Sequence, residues 1–125
     1  MVIEDKLLKL MMDIGYLGCG YGYFKDAVTV FGGLEDICPD SESPLIGMAV
    51  AMISRGQCEK AEEILKDHVL TRFPQSDIAR SFHGFALKIL GKKSESITVL
   101  KEVVGNNRDT AAVNLASALL AEMQA

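Results

Sequence analysis

Small, apolar and turn-forming positions along the chain recur at a spacing of 34 residues, which rises to 35 in the second interval. Five kinds of position keep their residue type and their order at this spacing. The aligned sets are Gly15, Ala49 and Gly84; Gly22, Gly56 and Gly91; Ala27, Ala61 and Ser96; Phe31, Leu65 and Leu100; and Pro39 with Pro74. The extra residue falls in the stretch LKDHVLTRFPQ before Pro74. An internal repeat of this length is typical of a solenoid of stacked units.

Each repeat unit has the pattern of two helices. In the second helix a small residue is followed four positions later by a large apolar one, as in Ala27 and Phe31, which is helical spacing. The small residues of the first helix, such as Gly15, allow the partner helix to approach closely. The recurring glycines of the set that begins with Gly22 are predicted to end the first helices in the left-handed conformation. Ser76 or Asp77 is predicted to be the N-cap of the third unit.

The last stretch, NNRDTAAVNLASALLAEMQA, predicts one more helix. Its apolar residues follow an i, i+3, i+4 pattern, and Asp109 is the expected N-cap. The residues of this stripe are Ala112, Leu115, Ala116, Leu119, Leu120 and Met123. A terminal helix commonly covers the open apolar end of a repeat stack. The pattern therefore predicts an all-α chain of seven helices.

Composition and charge exclude several classes of protein. The chain has 125 residues, 49% of them apolar, and a net charge of −4, which disfavours a nucleic-acid binder. We expect no membrane span, because no apolar run has the length needed to cross a bilayer. The start carries acidic residues before its apolar stretch, so it resembles no signal peptide and we expect a cytoplasmic protein. The three cysteines form no CxxC pair, and neither a disulfide framework nor a zinc site is predicted.

The glycine-rich segment GYLGCGYGYF, residues 15–24, raises the alternative of a phosphate-binding loop. Such a loop needs a strand before it and a helix N-terminus after it, whereas an apolar helix precedes these glycines. Gly18 and Gly20 stay unusual, because glycine within a helix costs about 1 kcal/mol against alanine. No catalytic triad and no HExxH motif is present, so we expect no enzyme and no cofactor. His68 and His83 lie in different repeats, and we expect no metal site.

These residues together resemble the tetratricopeptide repeat. Gly15, Ala27, Phe31 and Pro39 match its pattern well, and the second and third units match more loosely. The family's tryptophan-like position departs from the pattern, with Met11, Leu45 and Arg80. The resemblance implies three helical hairpins in a right-handed superhelix with a C-terminal capping helix. It implies one domain over residues 1–125, with repeats at about 8–41, 42–76 and 77–109 and the cap at 109–124.

The overall build is also similar to that of bacterial type III secretion chaperones, which are short acidic chains of three such repeats with a closing helix. That resemblance rests on build and on the early glycine-rich hairpin. It implies a cytoplasmic bacterial protein that holds an amphipathic helix of a needle or translocator subunit. A small helical co-chaperone is a further partner that it implies. The alternative is a generic tetratricopeptide scaffold that assembles other proteins or forms a homodimer.

In the tetratricopeptide family the first helix of each pair lines the concave groove. Carrying the family's groove positions over to this chain gives a largely apolar set of candidate partner-binding residues. These are Met12, Tyr16, Cys19, Ile46, Val50, Ile53, Ile78, Phe85, Lys88 and Ile89. An amphipathic helix laid in such a groove would bury its own apolar stripe. If the helix phase is shifted by one position, the same residues are core instead.

Overall fold

The computed structural model describes residues 4–124, which form seven helices. The fourth, which we call α4, begins as Cys58–Glu63, continues as a π-helical segment at Ile64–Val69 and ends with the turn Leu70–Arg72. The other helices are α1 (Asp5–Gly20), α2 (Phe24–Ile37), α3 (Ser43–Ser54), α5 (Asp77–Ile89), α6 (Lys93–Asn106) and α7 (Thr110–Gln124). Residues 4–124 contain no strand, so the prediction of an all-α chain with seven helices is confirmed.

The helices pack as three consecutive hairpins and a closing helix. α1 packs on α2, α3 on α4 and α5 on α6, and α3 and α5 each also contact the hairpin before them. α7 packs against both helices of the last hairpin. Three apolar clusters fill the space between the layers, and Ile78 packs against two of them. The result is a continuous stack in which neighbouring hairpins share a core.

The turn inside each hairpin has the same backbone geometry. Gly22, Gly56 and Gly91 have φ angles of 80°, 81° and 80°, as predicted for residues that end a helix in the left-handed conformation. In each turn the residue after the glycine donates its backbone N–H to the carbonyl five residues earlier, at 2.8 to 2.9 Å. This bond closes a Schellman motif, which satisfies a carbonyl that the helix end would leave free.

Close contacts between a glycine and a large side chain set the distance between helices. A Cβ on Gly15 or on Gly47 would lie 2.5 Å from the ring of Phe31, so this buried ring occupies the space that both glycines leave. In the third hairpin Gly84 makes the same room for the buried Leu100. The predicted close approach of the two helices within a hairpin is therefore present in the first and third repeats.

The third repeat replaces the small alanine of the second helix by Ser96, and the structure gives a reason. The Ser96 hydroxyl is fully buried and donates a hydrogen bond of 2.6 Å to the carbonyl of Gly84. A second buried hydroxyl, that of Ser81, donates to the carbonyl of Ala112 at 2.9 Å. Because buried hydroxyls need such partners, both serines tie α5 to the helices on either side of it.

The π-helical segment coincides with the extra residue of the second repeat. The spacing between repeats grows from 34 to 35 between Leu65 and Pro74, and the segment Ile64–Val69 begins at this point. A single inserted residue within an α-helix is commonly accommodated as one turn of π-helix. Leu65 and Val69 stay fully buried, whereas the residues between them, 66–68, are exposed. The insertion is therefore absorbed on the solvent side.

Polar contacts between the start of α5 and the loop before α7 hold the third hairpin and α7 in place. Ser76 caps α5 by accepting the N–H of Ala79, and Asp109 caps α7 by accepting the N–H of Ala112, as predicted. Asp77, which is only 3% exposed, accepts two hydrogen bonds from Arg108, at 2.8 and 2.9 Å. Further hydrogen bonds reach Asp77 from Arg80 and Asn106. The contact with Arg108 holds the pKa of Asp77 below its ordinary value.

We expect Gly84→Ala to destabilise the protein by about 1–3 kcal/mol, because the added methyl group overlaps the buried side chain of Leu100. Gly33→Ala is the matched control, since Gly33 is exposed within α2 and its added Cβ meets nothing within 4 Å. The control should gain about 0.4–1 kcal/mol by removing flexibility from the unfolded chain. Urea denaturation followed by circular dichroism measures both. Equal effects at the two positions would contradict the close packing of α5 and α6.

We expect Asp77→Asn to cost about 1–3 kcal/mol at pH 7, because the arginines around this buried carboxylate lose its charge. Since folding lowers the pKa of Asp77, the folded state gains stability from ionisation above the ordinary value of 3.8 and loses it as the pH falls through the lowered value. The difference in unfolding free energy between wild type and variant should therefore shrink below about pH 3.8. Urea titrations from pH 7 to pH 3 measure it, with the exposed Asp40→Asn as control.

Candidate partner-binding groove

The first helices of the three hairpins carry all ten candidate residues. α1 contacts α3, and α3 contacts α5, so the three helices lie side by side in one layer. Because side chains three or four residues apart share one face of a helix, each helix presents a short row of candidates. We call the surface formed by these rows the groove.

An open cavity of about 530 Å³ lies at the start of the groove, between α1 and α3. Met12, Tyr16, Ile46 and Ile78 line it together with Leu8, and all four are among the predicted residues. Charged and hydroxyl-bearing side chains surround this apolar floor. They are Asp5, Lys9, Asp13, Ser41, Glu42 and Ser43. The arrangement suits a partner that inserts an apolar side chain into the cavity and places polar groups around that side chain.

The floor of the cavity is firmly packed. Met12 and Ile46 are only 6% and 4% exposed, so they belong to the core as well as to the cavity wall. The ring of Tyr16 packs on Phe31 at a centroid distance of 5.3 Å. Burial raises the pKa of Tyr16 to about 12, and its hydroxyl is therefore a neutral hydrogen-bonding group at physiological pH. The floor is a preformed surface that a ligand can use without rearranging the core.

In the middle of the groove the candidates are half-buried. Val50 and Ile53 pack against the cluster formed by α3, α4 and α5, and each keeps part of its surface exposed. Cys19 packs against the apolar cluster formed by α1, α2 and α3. Burial raises the pKa of its thiol, so the thiol stays protonated. These three residues give the groove shape and apolar surface, without a reactive group.

At the third hairpin the closing helix reaches the groove. Ile78 and Phe85 pack against the apolar cluster of α6 and α7, and Lys88 forms an ion pair of 2.5 Å with Glu122 of α7. Ile89 is 51% exposed. α7 therefore borders the groove at the third hairpin. The cavity between α1 and α3 also reaches this hairpin, because Ile78 of α5 forms part of its lining.

A second apolar row on α1 was missed by the sequence analysis, which singled out only Met12, Tyr16 and Cys19 on this helix as binding residues. We call it the outer stripe, and it consists of Leu7, Leu10, Ile14 and Leu17 of α1 together with Tyr21, the C-cap residue of this helix. Its members are 47 to 71% exposed. The signal was present in the sequence, because large apolar residues at spacings of three and four follow one face of a helix.

Neither histidine points to a metal centre. His83 lies 3.0 Å from a carboxylate oxygen of Glu62, which also pairs with Lys92, and His68 is exposed. Within residues 4–124, no group of three or more potential metal ligands occurs. The same part of the chain has no helix that is both long and apolar enough to cross a membrane.

Two solved structures share this architecture over nearly the whole chain. The tetratricopeptide domain of Sgt2 from Aspergillus fumigatus aligns with a TM-score of 0.70 and 18% sequence identity, over 93% of this chain and 78% of its own. The type III secretion translocator chaperone SycD of Yersinia enterocolitica aligns with a TM-score of 0.71 and 16% identity, over 98% of this chain and 87% of its own. The chain therefore has the tetratricopeptide-repeat fold, as the sequence pattern predicted.

Sequence comparison adds nothing more specific. No protein-family model matches the sequence, and no curated protein matches it significantly. Because one fold of this kind serves many functions, the function has to be argued from the groove itself.

Proposed function

We propose that this protein is a non-catalytic chaperone of a bacterial type III secretion system. In this proposal it holds an aggregation-prone amphipathic helix of a needle or translocator subunit in the groove, in the bacterial cytoplasm. The observation that carries the proposal is the apolar cavity between α1 and α3, floored by Met12, Tyr16 and Ile46 and rimmed by charge. SycD, which is a translocator chaperone with the same fold, supports the choice among tetratricopeptide functions.

The cavity explains why an amphipathic helix suits the groove. Each large apolar side chain that becomes fully buried contributes about 1.5–3 kcal/mol before the cost of ordering the two partners. A helix with anchors at i, i+3, i+4 and i+7 can place one side chain in the cavity and the next ones against Val50 and Ile53. The exposed Ile89 extends the apolar row toward the end of α5. A free subunit that exposes such anchors would otherwise aggregate.

The charged side chains at the rim of the cavity indicate which charges the partner helix carries. Lys9 and Asp13 are joined by an exposed ion pair of 3.0 Å, and Asp5 and Glu42 lie beside them. These groups face the polar flank of a bound helix, and they contribute register and selectivity more than affinity. We therefore expect a client helix with large apolar residues on one face and basic residues next to them.

Co-expression tests the proposal. The tagged protein is produced with each needle and translocator subunit of the type III system from the source bacterium, and co-purification is measured. We expect one of these subunits to co-purify and to become soluble. If no such subunit binds, and the protein instead captures unrelated partners or assembles with itself through the groove, the result favours the alternative hypothesis of a generic tetratricopeptide scaffold.

Two substitutions test whether the client binds in the groove. Ile89→Glu adds a charge to an exposed groove residue, and Tyr16→Glu adds one to the cavity floor. Each should weaken client binding at least about tenfold, which corresponds to the loss of one buried apolar contact. Val104→Glu is the matched control, because Val104 is 36% exposed on α6, outside the groove. Calorimetric titration measures the affinity, and circular dichroism checks that each variant is folded. Equal affinities in all three variants would refute the groove as the binding site.

A further inference from the structure

The groove residue Lys88 does not present a free positive charge to a partner. Its Nζ atom lies 2.5 Å from Oε2 of Glu122, which reaches it from the closing helix α7. The lysine side chain is 30% exposed and the glutamate side chain 64% exposed. The ion pair therefore lies at the surface, where α7 borders the groove.

Glu122 stands out within α7 because it is the only charged residue among Thr110–Gln124. The other exposed side chains of this helix are small or polar, and Ala111 and Ala118 are examples. Glu122 also lies in the last turn of the helix, where a negative charge opposes the helix dipole. The position is therefore an unfavourable one for a carboxylate within the helix itself.

The stability of the fold does not explain this placement. An exposed ion pair between two long side chains contributes little to stability. α7 is already held by its buried apolar face and by the hydroxyl of Ser81, which donates a hydrogen bond to the carbonyl of Ala112. A residue that breaks a local rule without a gain in stability points to a role in function. Glu122 is such a residue, and its contact with Lys88 places that role at the groove.

The lysine that faces the cavity is paired in the same way. Lys9 lies 3.0 Å from Asp13, in an ion pair within α1. Lys9 and Lys88 are the only two basic residues among the ten candidates and the residues that line the cavity. Because each has a carboxylate of the protein beside it, neither lysine is free to bind an acidic side chain of a partner.

Carboxylates outnumber lysines around the groove. Asp5 and Glu42 line the cavity in addition to the two ion pairs, so four carboxylates accompany two lysines. Such a surface attracts basic partners and repels acidic ones, which gives selectivity. Glu122 determines this balance at the third hairpin, because without it Lys88 could pair with an acidic residue of a partner that covers the exposed Ile89.

We propose that Glu122 is a specificity-determining residue of the groove. By holding Lys88 it prevents an acidic residue of the client from pairing with this lysine. The groove thereby selects a helix whose apolar stripe is flanked by basic residues. This inference rests on the proposed function, in which the groove holds an amphipathic helix, and it adds the residue that sets the charge of that helix.

Two synthetic peptides test the role of Glu122. Both are about 18 residues long, which is enough for five helical turns, and both carry leucines at i, i+3, i+4 and i+7. One peptide has lysines next to the leucines, and the other has glutamates there. Calorimetric titration measures the affinity of each probe. We expect the wild-type protein to bind the lysine probe several-fold more tightly than the glutamate probe.

We expect Glu122→Gln to bind the glutamate probe about three- to fivefold more tightly than the wild type does, because Lys88 is then free to pair with it. Glu63→Gln is the matched control, since it removes the same charge from an exposed glutamate of α4, outside the groove. The control should leave both affinities nearly unchanged. In the Lys88→Met background the gain from Glu122→Gln should be much smaller. Circular dichroism confirms that each variant is folded.

Two results would overturn this inference while leaving the proposed function intact. One is a Glu122→Gln variant that binds both probes as the wild type does. The other is a gain that is equally large in the Lys88→Met background, because Glu122 would then act by repulsion alone and not by holding Lys88. If neither probe binds the wild type, or if Tyr16→Glu on the cavity floor leaves both affinities unchanged, the groove does not hold an amphipathic helix and both proposals fail.

Discussion

The structure depends on a fit between glycines and large side chains. The ring of Phe31 occupies the space left by Gly15 on α1 and Gly47 on α3, and it therefore fixes the spacing of three helices at once. Leu100 does the same against Gly84 in the third hairpin. Since the interior of a protein is close-packed, these contacts define the angle at which each hairpin meets the next. The position of the groove follows, because its floor is the other side of the same helices.

Most of the fold could be predicted from the sequence because its determinants are local and repeated. The turn glycines need a left-handed backbone, the caps at Ser76 and Asp109 need a hydroxyl or a carboxylate, and each recurs at a fixed place in the pattern. The ion pair between Lys88 and Glu122 could not be predicted, since it joins residues 34 positions apart on helices whose relative placement the pattern leaves open. The Asp77 cluster was missed for the same reason.

The candidate site was harder to predict than the fold. A helix of sixteen residues with apolar side chains on most of its surface gives no single preferred face, and α1 is such a helix. Its pattern alone does not show which face meets the core, which borders the groove and which is left outside. The groove assignment came from the tetratricopeptide resemblance, and the binding role of its residues stays a prediction. In the structure Met12 serves the core and the cavity together, so the division between core and groove that the sequence analysis assumed is incomplete.

The π-helical turn of α4 bears on how such a chain can change in length. An added residue in a regular α-helix rotates everything after it by about 100°, which would turn α5 away from its neighbours. Here the surplus residue is confined to a wider turn, and Leu65 and Val69 keep their inward direction. The second repeat is therefore one residue longer than the first, and its stacking against the next hairpin is unchanged. Related chains of unequal repeat length can preserve the same superhelix by placing their surplus residues at this solvent-facing turn.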